Sequence, residues 1–259
     1  MLNAESDDAA FARFSIQHSA FSIQHSALDP MKLSELFYSV QGEGKLTGVP
    51  SVFVRASGCN LRCTWCDTPY ASWNPEGEDA PVPEIVSRIH QYPARHVVLT
   101  GGEPMIMPDI HELAESLSAE GKHITVETAG TFFVPMPIDL ASISPKLSNS
   151  TPTEREKGRF ARAHDRLRLN VPVIQNLIDT SRDFQLKFVV ASERDLPEIE
   201  DLLAKLHRWT PTDVLLMPEG TDRTTLASRS PWLADLCKQK GYRFCPRLHI
   251  ELFGNKRGT

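Results

Sequence analysis

From Met31 onwards, short apolar runs alternate with stretches whose apolar residues recur at helical spacing. Ser51–Ala56 reads as a strand, as do His96–Thr100, His123–Glu127, Asp139–Ser144, Phe184–Val190 and Asp213–Met217. Helices are predicted between them. Pro83–His90 sets Ile85, Val86 and Ile89 on one face. Pro108–Glu120 does the same with Ile110, Leu113, Ala114 and Leu117, and Gly121 can stop it. Asp195 is placed to cap the next helix, with Glu198 three residues on and Ile199, Leu202, Leu203 and Leu206 along its apolar face. Pro231–Lys240 reads as the last helix, and Phe244–Leu252 as a closing strand or hairpin edge. The polar stretch Ser148–Asp165 reads as an exposed insertion, helical in part.

Strands alternating with helices build βα units on a parallel sheet, and right-handed crossovers curl it. The expected fold is therefore α/β, a partial (incomplete) TIM-type βα barrel with a mostly parallel sheet. Sites on such folds form at the C-terminal ends of the strands. Thr100-Gly101-Gly102-Glu103-Pro104, the residues after Glu127, and Ser144-Pro145-Lys146 all follow strands, so they should meet at one mouth.

Composition excludes more than it adds. A chain of 259 residues, 41% hydrophobic and 24% charged, suits a single domain over residues 31–259. With a net charge of −5 and no basic run, no nucleic-acid surface is expected; no apolar stretch is long enough to span a membrane. The first thirty residues stand apart. FSIQHSA fills positions 14–20 and again 21–27. The unit is too short for a repeat architecture and lacks the regions of a signal peptide. Residues 1–30 are read as a non-native or disordered leader, with Met31 as the true start.

Five cysteines are present, and Cys59, Cys63 and Cys66 crowd into eight residues as C-x3-C-x2-C. Such clustering points to metal ligation in a reducing cytoplasm rather than a disulfide scaffold. Structural zinc is closed by four ligands. Three close thiolates instead suit three irons of a cubane, leaving the fourth open to chelate the amino and carboxylate groups of a methionine moiety. A zinc site completed by a distant residue is the alternative. Cys237 and Cys245 read as structural. At the end of a predicted strand, Gly101 and Gly102 let the backbone approach a ligand closely, and Glu103 could position a cationic amino group.

The cysteine spacing, with Trp65 before the third cysteine, resembles the radical S-adenosylmethionine superfamily. A finer resemblance rests on Phe37-Tyr38-Ser39-Val40-Gln41-Gly42-Glu43-Gly44, Gly48-Val49-Pro50, the strand carrying Arg55, Cys66-Asp67-Thr68 and TGGEP. In that order and spacing they resemble 7-carboxy-7-deazaguanine synthases of queuosine and deazapurine biosynthesis, over Lys32 to about Leu252. The resemblance implies a lyase that converts 6-carboxy-5,6,7,8-tetrahydropterin to 7-carboxy-7-deazaguanine, contracting a ring and eliminating ammonia. It implies a [4Fe–4S] cluster, S-adenosylmethionine and Mg2+ as cofactors, a flavodoxin or ferredoxin as electron donor, and a cytoplasmic homodimer.

Residue by residue, the resemblance places Cys59, Cys63 and Cys66 on the cluster and Thr68 on magnesium. It places Trp65, Cys66, Asp67, Gly102, Ser144, Pro145, Lys146, Gln185, Leu186, Lys187 and Phe188 on adenosylmethionine, and Val40, Gln41, Gly42, Arg55 and Thr100 on the substrate. Arg55 offers a rigid fork for a carboxylate or a planar ring, and one threonine suffices for a magnesium ion that keeps its waters. Structural readings stand beside these: Arg55 as a salt-bridged strand residue, Thr68 as a helix cap, Leu186 and Phe188 as core. Glu127 and His249 are the candidate proton-transfer groups. The chain departs from the resemblance at Asn255–Thr259, where some relatives place a terminal proline against substrate. The rival readings are an activase that installs a glycyl radical on a partner enzyme, and a zinc-binding module without catalysis.

Overall fold

The computed structural model describes residues 30–259, so the duplicated heptapeptide of the leader lies outside the described residues. The sheet begins with two antiparallel elements. β1 (Met31–Val40) pairs with β2 (Pro50–Ala56) and, on its other edge, with β3 (Glu78–Ala80). From β2 onwards every added strand is parallel: β4 (His96–Gly101), β5 (His123–Thr128), β6 (Leu140–Ile143), β7 (Asp183–Val190), β8 (Val214–Pro218) and the two-residue β9 (Arg243–Phe244). The order is β3-β1-β2-β4-β5-β6-β7-β8-β9, and among the described residues the two edges do not pair. The sheet is a mostly parallel, unclosed βα barrel, as the alternating pattern predicts.

A short helix, α1 (Pro69–Ser72), follows the cysteine loop. The crossover helices are α2 (Val82–Ile89), α3 (Ile110–Ala119), α4 (Ala161–Leu167), α5 (Val171–Thr180), α6 (Leu196–Leu203) and α7 (Arg223–Lys240), followed by α8 (Leu248–Phe253). Their apolar stripes cover the outer face of the sheet. Val97, Leu99, Ile124, Val126, Leu186 and Phe188 are fully buried there against Ile85, Leu113, Leu117, Ile174 and Ile199. Each such side chain contributes about 1.5–3 kcal/mol by leaving water. No helix of the described residues is long and apolar enough to cross a membrane.

Several expectations are corrected. The last long helix begins at Arg223, not Pro231; Pro231 lies inside it. Proline removes one ladder bond there, and the Ser230 hydroxyl donates to the Leu226 carbonyl at 2.7 Å beside the interruption. Phe244–Leu252 is not a strand: pairing stops at Phe244, Pro246 cannot donate to a ladder, and Leu248 onwards is helical. Asp195 does not cap α6 with its own side chain. It completes a capping box begun by Ser192, one 3-10 turn earlier. Ser148–Asp165 is not wholly exposed: Ser150 and His164 are buried, and α4 begins within it. β1 and α5 escape the pattern reading altogether. In β1 a register shift between Leu33 and Glu35 breaks the period-two alternation.

Candidate active site

The cysteine loop hangs from the C-terminal end of β2, and the TGGEP turn leaves the end of the neighbouring β4. Backbone bonds zip the two together. Gly102 N–H donates to the Ala56 carbonyl at 3.1 Å, and Glu103 N–H to that of Gly58 at 2.9 Å. Gly101 sits at φ 134°, a region closed to most residues. A Cβ on it would collide with Ala56, and one on Gly102 with the carbonyls of Gly58 and Ala71. The glycines are therefore required by the approach of two backbones. Glu103, read as a ligand for an amino group, is fully buried instead. Its carboxylate accepts from the Thr128 hydroxyl at 2.7 Å and from Ala129 N–H at 2.9 Å, tying β4 to β5. Burial pushes that carboxyl above its ordinary pKa.

These turns open onto a cavity of about 510 Å³. One wall carries Cys59, Cys63 and Cys66, with Trp65, Asp67, Thr68, Gly102, Ser144 and Lys146 around them. Val40, Gly42, Glu43, Arg55, Thr100, Glu127, Lys187 and His249 line the same cavity. The mouth grouping predicted from strand ends is met by these residues. Other candidates lie behind the wall. Gln41 is buried, its amide donating to Ser51 Oγ at 3.1 Å. Gln185 is buried below the cavity, donating to Ser142 Oγ at 2.7 Å. Pro145 is buried and off the wall. Leu186 and Phe188 point the other way, into the core beneath the helices.

All five cysteines are free thiols. Burial pushes Cys63 up to about 12 and Cys59 upward too. Buried thiols ionise when they bind a cation, and the proton then leaves. Among the described residues no group of three or more His, Cys, Asp and Glu side chains is arranged to hold a single metal ion. Three soft donors on one wall, with Ser72 Oγ 3.1 Å from Cys66 Sγ and Lys146 nearby to favour thiolate, suit a cluster bound at separate corners. Lys146 itself is held by the Ser144 carbonyl and hydroxyl at 2.7 and 2.8 Å.

The rest of the lining is charged. Lys187 Nζ donates to Glu43 Oε2 at 2.5 Å, and Arg247 Nε to Glu43 Oε1 at 3.0 Å. Arg247 also bonds Asp67 and the Gly220 carbonyl. Burial alone would raise the Glu43 carboxyl, but Lys187 and Arg247 outweigh it and hold it well below the usual range. Burial would likewise lower Lys187, and Glu43 and Glu127 outweigh it and hold the ammonium charged. Thr100 Oγ1 donates to Glu127 Oε2 at 2.8 Å. The His249 ring packs on Gly42, where any Cβ would strike it, and burial holds it below its ordinary value. Arg55 lies 3.4 Å from Glu35, an ion pair that leaves its Nε without a hydrogen bond. Thr68 makes no side-chain capping bond to α1.

Sequence reasoning misses Arg247 and the pairing role of Glu43. The one available signal is the conjunction of a glutamate in QGEG with a basic residue two positions before His249. Residues 255–259, set aside as a departure, line the cavity mouth. Arg257 bonds Glu35, reaches Glu76 at 2.9 Å and stacks 4.1 Å over Tyr70.

A partial βα barrel with three free thiols at its mouth defines the radical SAM superfamily, whose family model matches residues 53–143. Membership implies a [4Fe–4S] cluster and S-adenosylmethionine. The chain is 48% identical over 239 residues to the 7-carboxy-7-deazaguanine synthase of Halobacterium salinarum, covering 88% of this chain and 93% of that one. It is 45% identical over 227 residues to that of Rhodopirellula baltica, covering 88% of each. It superimposes on the crystal structure of QueE from Escherichia coli with a TM-score of 0.65 at 25% identity, over 90% of this chain and all of the other. The chain belongs to the 7-carboxy-7-deazaguanine synthase family. These matches favour the synthase reading over the glycyl-radical activase and the zinc-binding module.

Proposed function

We propose that this protein is a radical SAM lyase that converts 6-carboxy-5,6,7,8-tetrahydropterin to 7-carboxy-7-deazaguanine with ring contraction and loss of ammonia, in queuosine and deazapurine biosynthesis. The observation that carries this is one cavity of about 510 Å³ lined both by three free thiols and by charged and polar side chains, with room for a cofactor beside a small heterocycle. Cys59, Cys63 and Cys66 would hold the cluster, with Trp65, Asp67, Gly102, Ser144 and Lys146 around adenosylmethionine. Together these groups supply one-electron, hydrogen-abstracting chemistry when bound. The protein's part is to orient the substrate and exclude water.

Arg55 receives the substrate carboxylate, and Val40, Gly42 and Thr100 meet the ring edge. Thr68, whose hydroxyl is free of a capping duty, offers a hard oxygen beside the cysteines for Mg2+, with the substrate carboxylate completing the ion's shell. Glu127 Oε2 accepts the hydrogen bond of the Thr100 hydroxyl, and the Glu127 carboxylate can exchange a proton with substrate at this mouth. His249, whose pKa burial lowers, can accept or give a proton at the same mouth. The free cysteines suit a reducing cytoplasm; a flavodoxin or ferredoxin supplies the electron, and the chain works as a homodimer. Anaerobically reconstituted protein given reductant, adenosylmethionine, Mg2+ and the carboxypterin should release the deazaguanine and ammonia. Release of 5′-deoxyadenosine without deazaguanine would reject the substrate.

A further inference from the structure

The buried part of Ser148–Asp165 is spent on the cysteine loop. His164 and Ser150 are 1% and 0% exposed. His164 Nδ1 accepts the Arg62 N–H at 3.1 Å, and its Nε2 lies 2.9 Å from Ser150 Oγ. Ser150 Oγ has a single proton, and it goes to the Leu147 carbonyl at 2.6 Å. The serine is therefore the acceptor from Nε2, and the ring is the neutral tautomer protonated there. Ser150 also offers its carbonyl to the Thr64 N–H at 2.8 Å. The two amides that flank Cys63 are thus both received by this segment. The carbonyl of Cys63 is taken in turn by Trp73 Nε1 at 2.9 Å, and Trp65 Nε1 donates to the Asn149 carbonyl at 3.0 Å.

We infer that His164 is a positioning residue for the cluster: with Ser150 it fixes the backbone on both sides of Cys63, and so the direction of that thiolate. This rests on the cluster reading of the three cysteines. A loop of three ligands has no regular ladder to hold it, and its amides can be satisfied only by neighbours or by water. A charged imidazolium could not accept from Arg62, and a side chain without an acceptor would leave that amide without its partner. Groups that orient metal ligands in this way change metal affinity about 10- to 100-fold when removed, and hydrogen bonding around cluster sulfurs also sets the reduction potential.

The test reconstitutes full-length wild type, His164→Leu, His164→Asn and Ser150→Ala anaerobically. It then follows iron release to a chelator and the electron paramagnetic resonance spectrum of the reduced cluster. His164→Leu should release iron about tenfold faster with a changed spectrum. His164→Asn, whose side-chain oxygen can take the Arg62 amide, should move both readouts back toward wild type. A His164→Leu protein with native circular dichroism, wild-type release and an unchanged spectrum would overturn the inference. So would an Asn variant no better than Leu. If the leucine variant fails to fold, Ser150→Ala decides: faster release supports the role, and wild-type release with a wild-type spectrum rejects it. A wild-type protein that takes up no iron and sulfide would fail the cluster reading itself, separately from His164.

Discussion

On the outer face of the sheet, Val97, Leu99, Ile124, Val126, Ile143, Leu186 and Phe188 meet the helices with no charge among them. On the inner face the same strands present Thr100, Glu127, Ser142, Gln185 and Lys187. A closed barrel of this type fills its interior with branched apolar side chains. Here the unclosed barrel gives that interior up to a cavity, and Glu43, Lys187 and Arg247 in it are largely buried and paired. Burying an ion pair rarely adds stability, because desolvation offsets attraction. The outer face therefore supplies the folding energy and the inner face the chemistry. β7 shows the division within eight residues: Leu186 and Phe188 enter the core while Lys187, between them, lines the cavity and pairs with Glu43.

The sharpest break in the comparison comes from the thiol wall. Cys63→Ala should abolish product formation and sharply reduce bound iron while circular dichroism stays native, as elemental analysis of anaerobically purified protein would show. The opposite outcome is expected outside. Phe188→Ala should cost about 3–5 kcal/mol in denaturant unfolding, yet the folded protein should bind iron and turn over as wild type does.

That division also explains what the sequence makes legible. The outer face is written in period: alternation in the strands and 3.6-residue spacing in the helices read directly as βα units. TGGEP and the cysteine triplet are legible because their spacing is local. What escapes is long-range. The pairing of Glu43 with Lys187 and Arg247 joins residues separated by 144 and 204 positions, and no periodicity announces it. Ser150 and His164 look like parts of a polar insertion because nothing local says that the cysteine loop will need their acceptors. The start of α7 is missed because a proline that usually opens a helix here lies within one.

Smaller effects sharpen the inner-face account. Thr100→Val removes the hydroxyl bonded to Glu127 while keeping volume. It should lower kcat by about tenfold and stability by about 1 kcal/mol, read from steady-state rates and unfolding of the same preparation. The acid limb is subtler. Glu43 has its folded value depressed, so its contribution is complete above its ordinary value of 4.5 and is lost as pH falls below it. Urea unfolding from pH 6 to pH 3 should show stability falling below about pH 4.5, with a shallower fall in Glu43→Gln.

The comparison as a whole stands on the Glu43–Lys187 pair. Lys187→Met should leave the Glu43 carboxylate with Arg247 as its one remaining ion-pair partner and cost about 3 kcal/mol. The double variant Lys187→Met with Glu43→Met removes both charges together. Measured in one double-mutant cycle of denaturant unfolding with product assay, it should recover most of that loss while forming no deazaguanine. A double variant as unstable as the sum of its singles, or one that turns over at the wild-type rate, would contradict the claim that these buried charges are kept for chemistry.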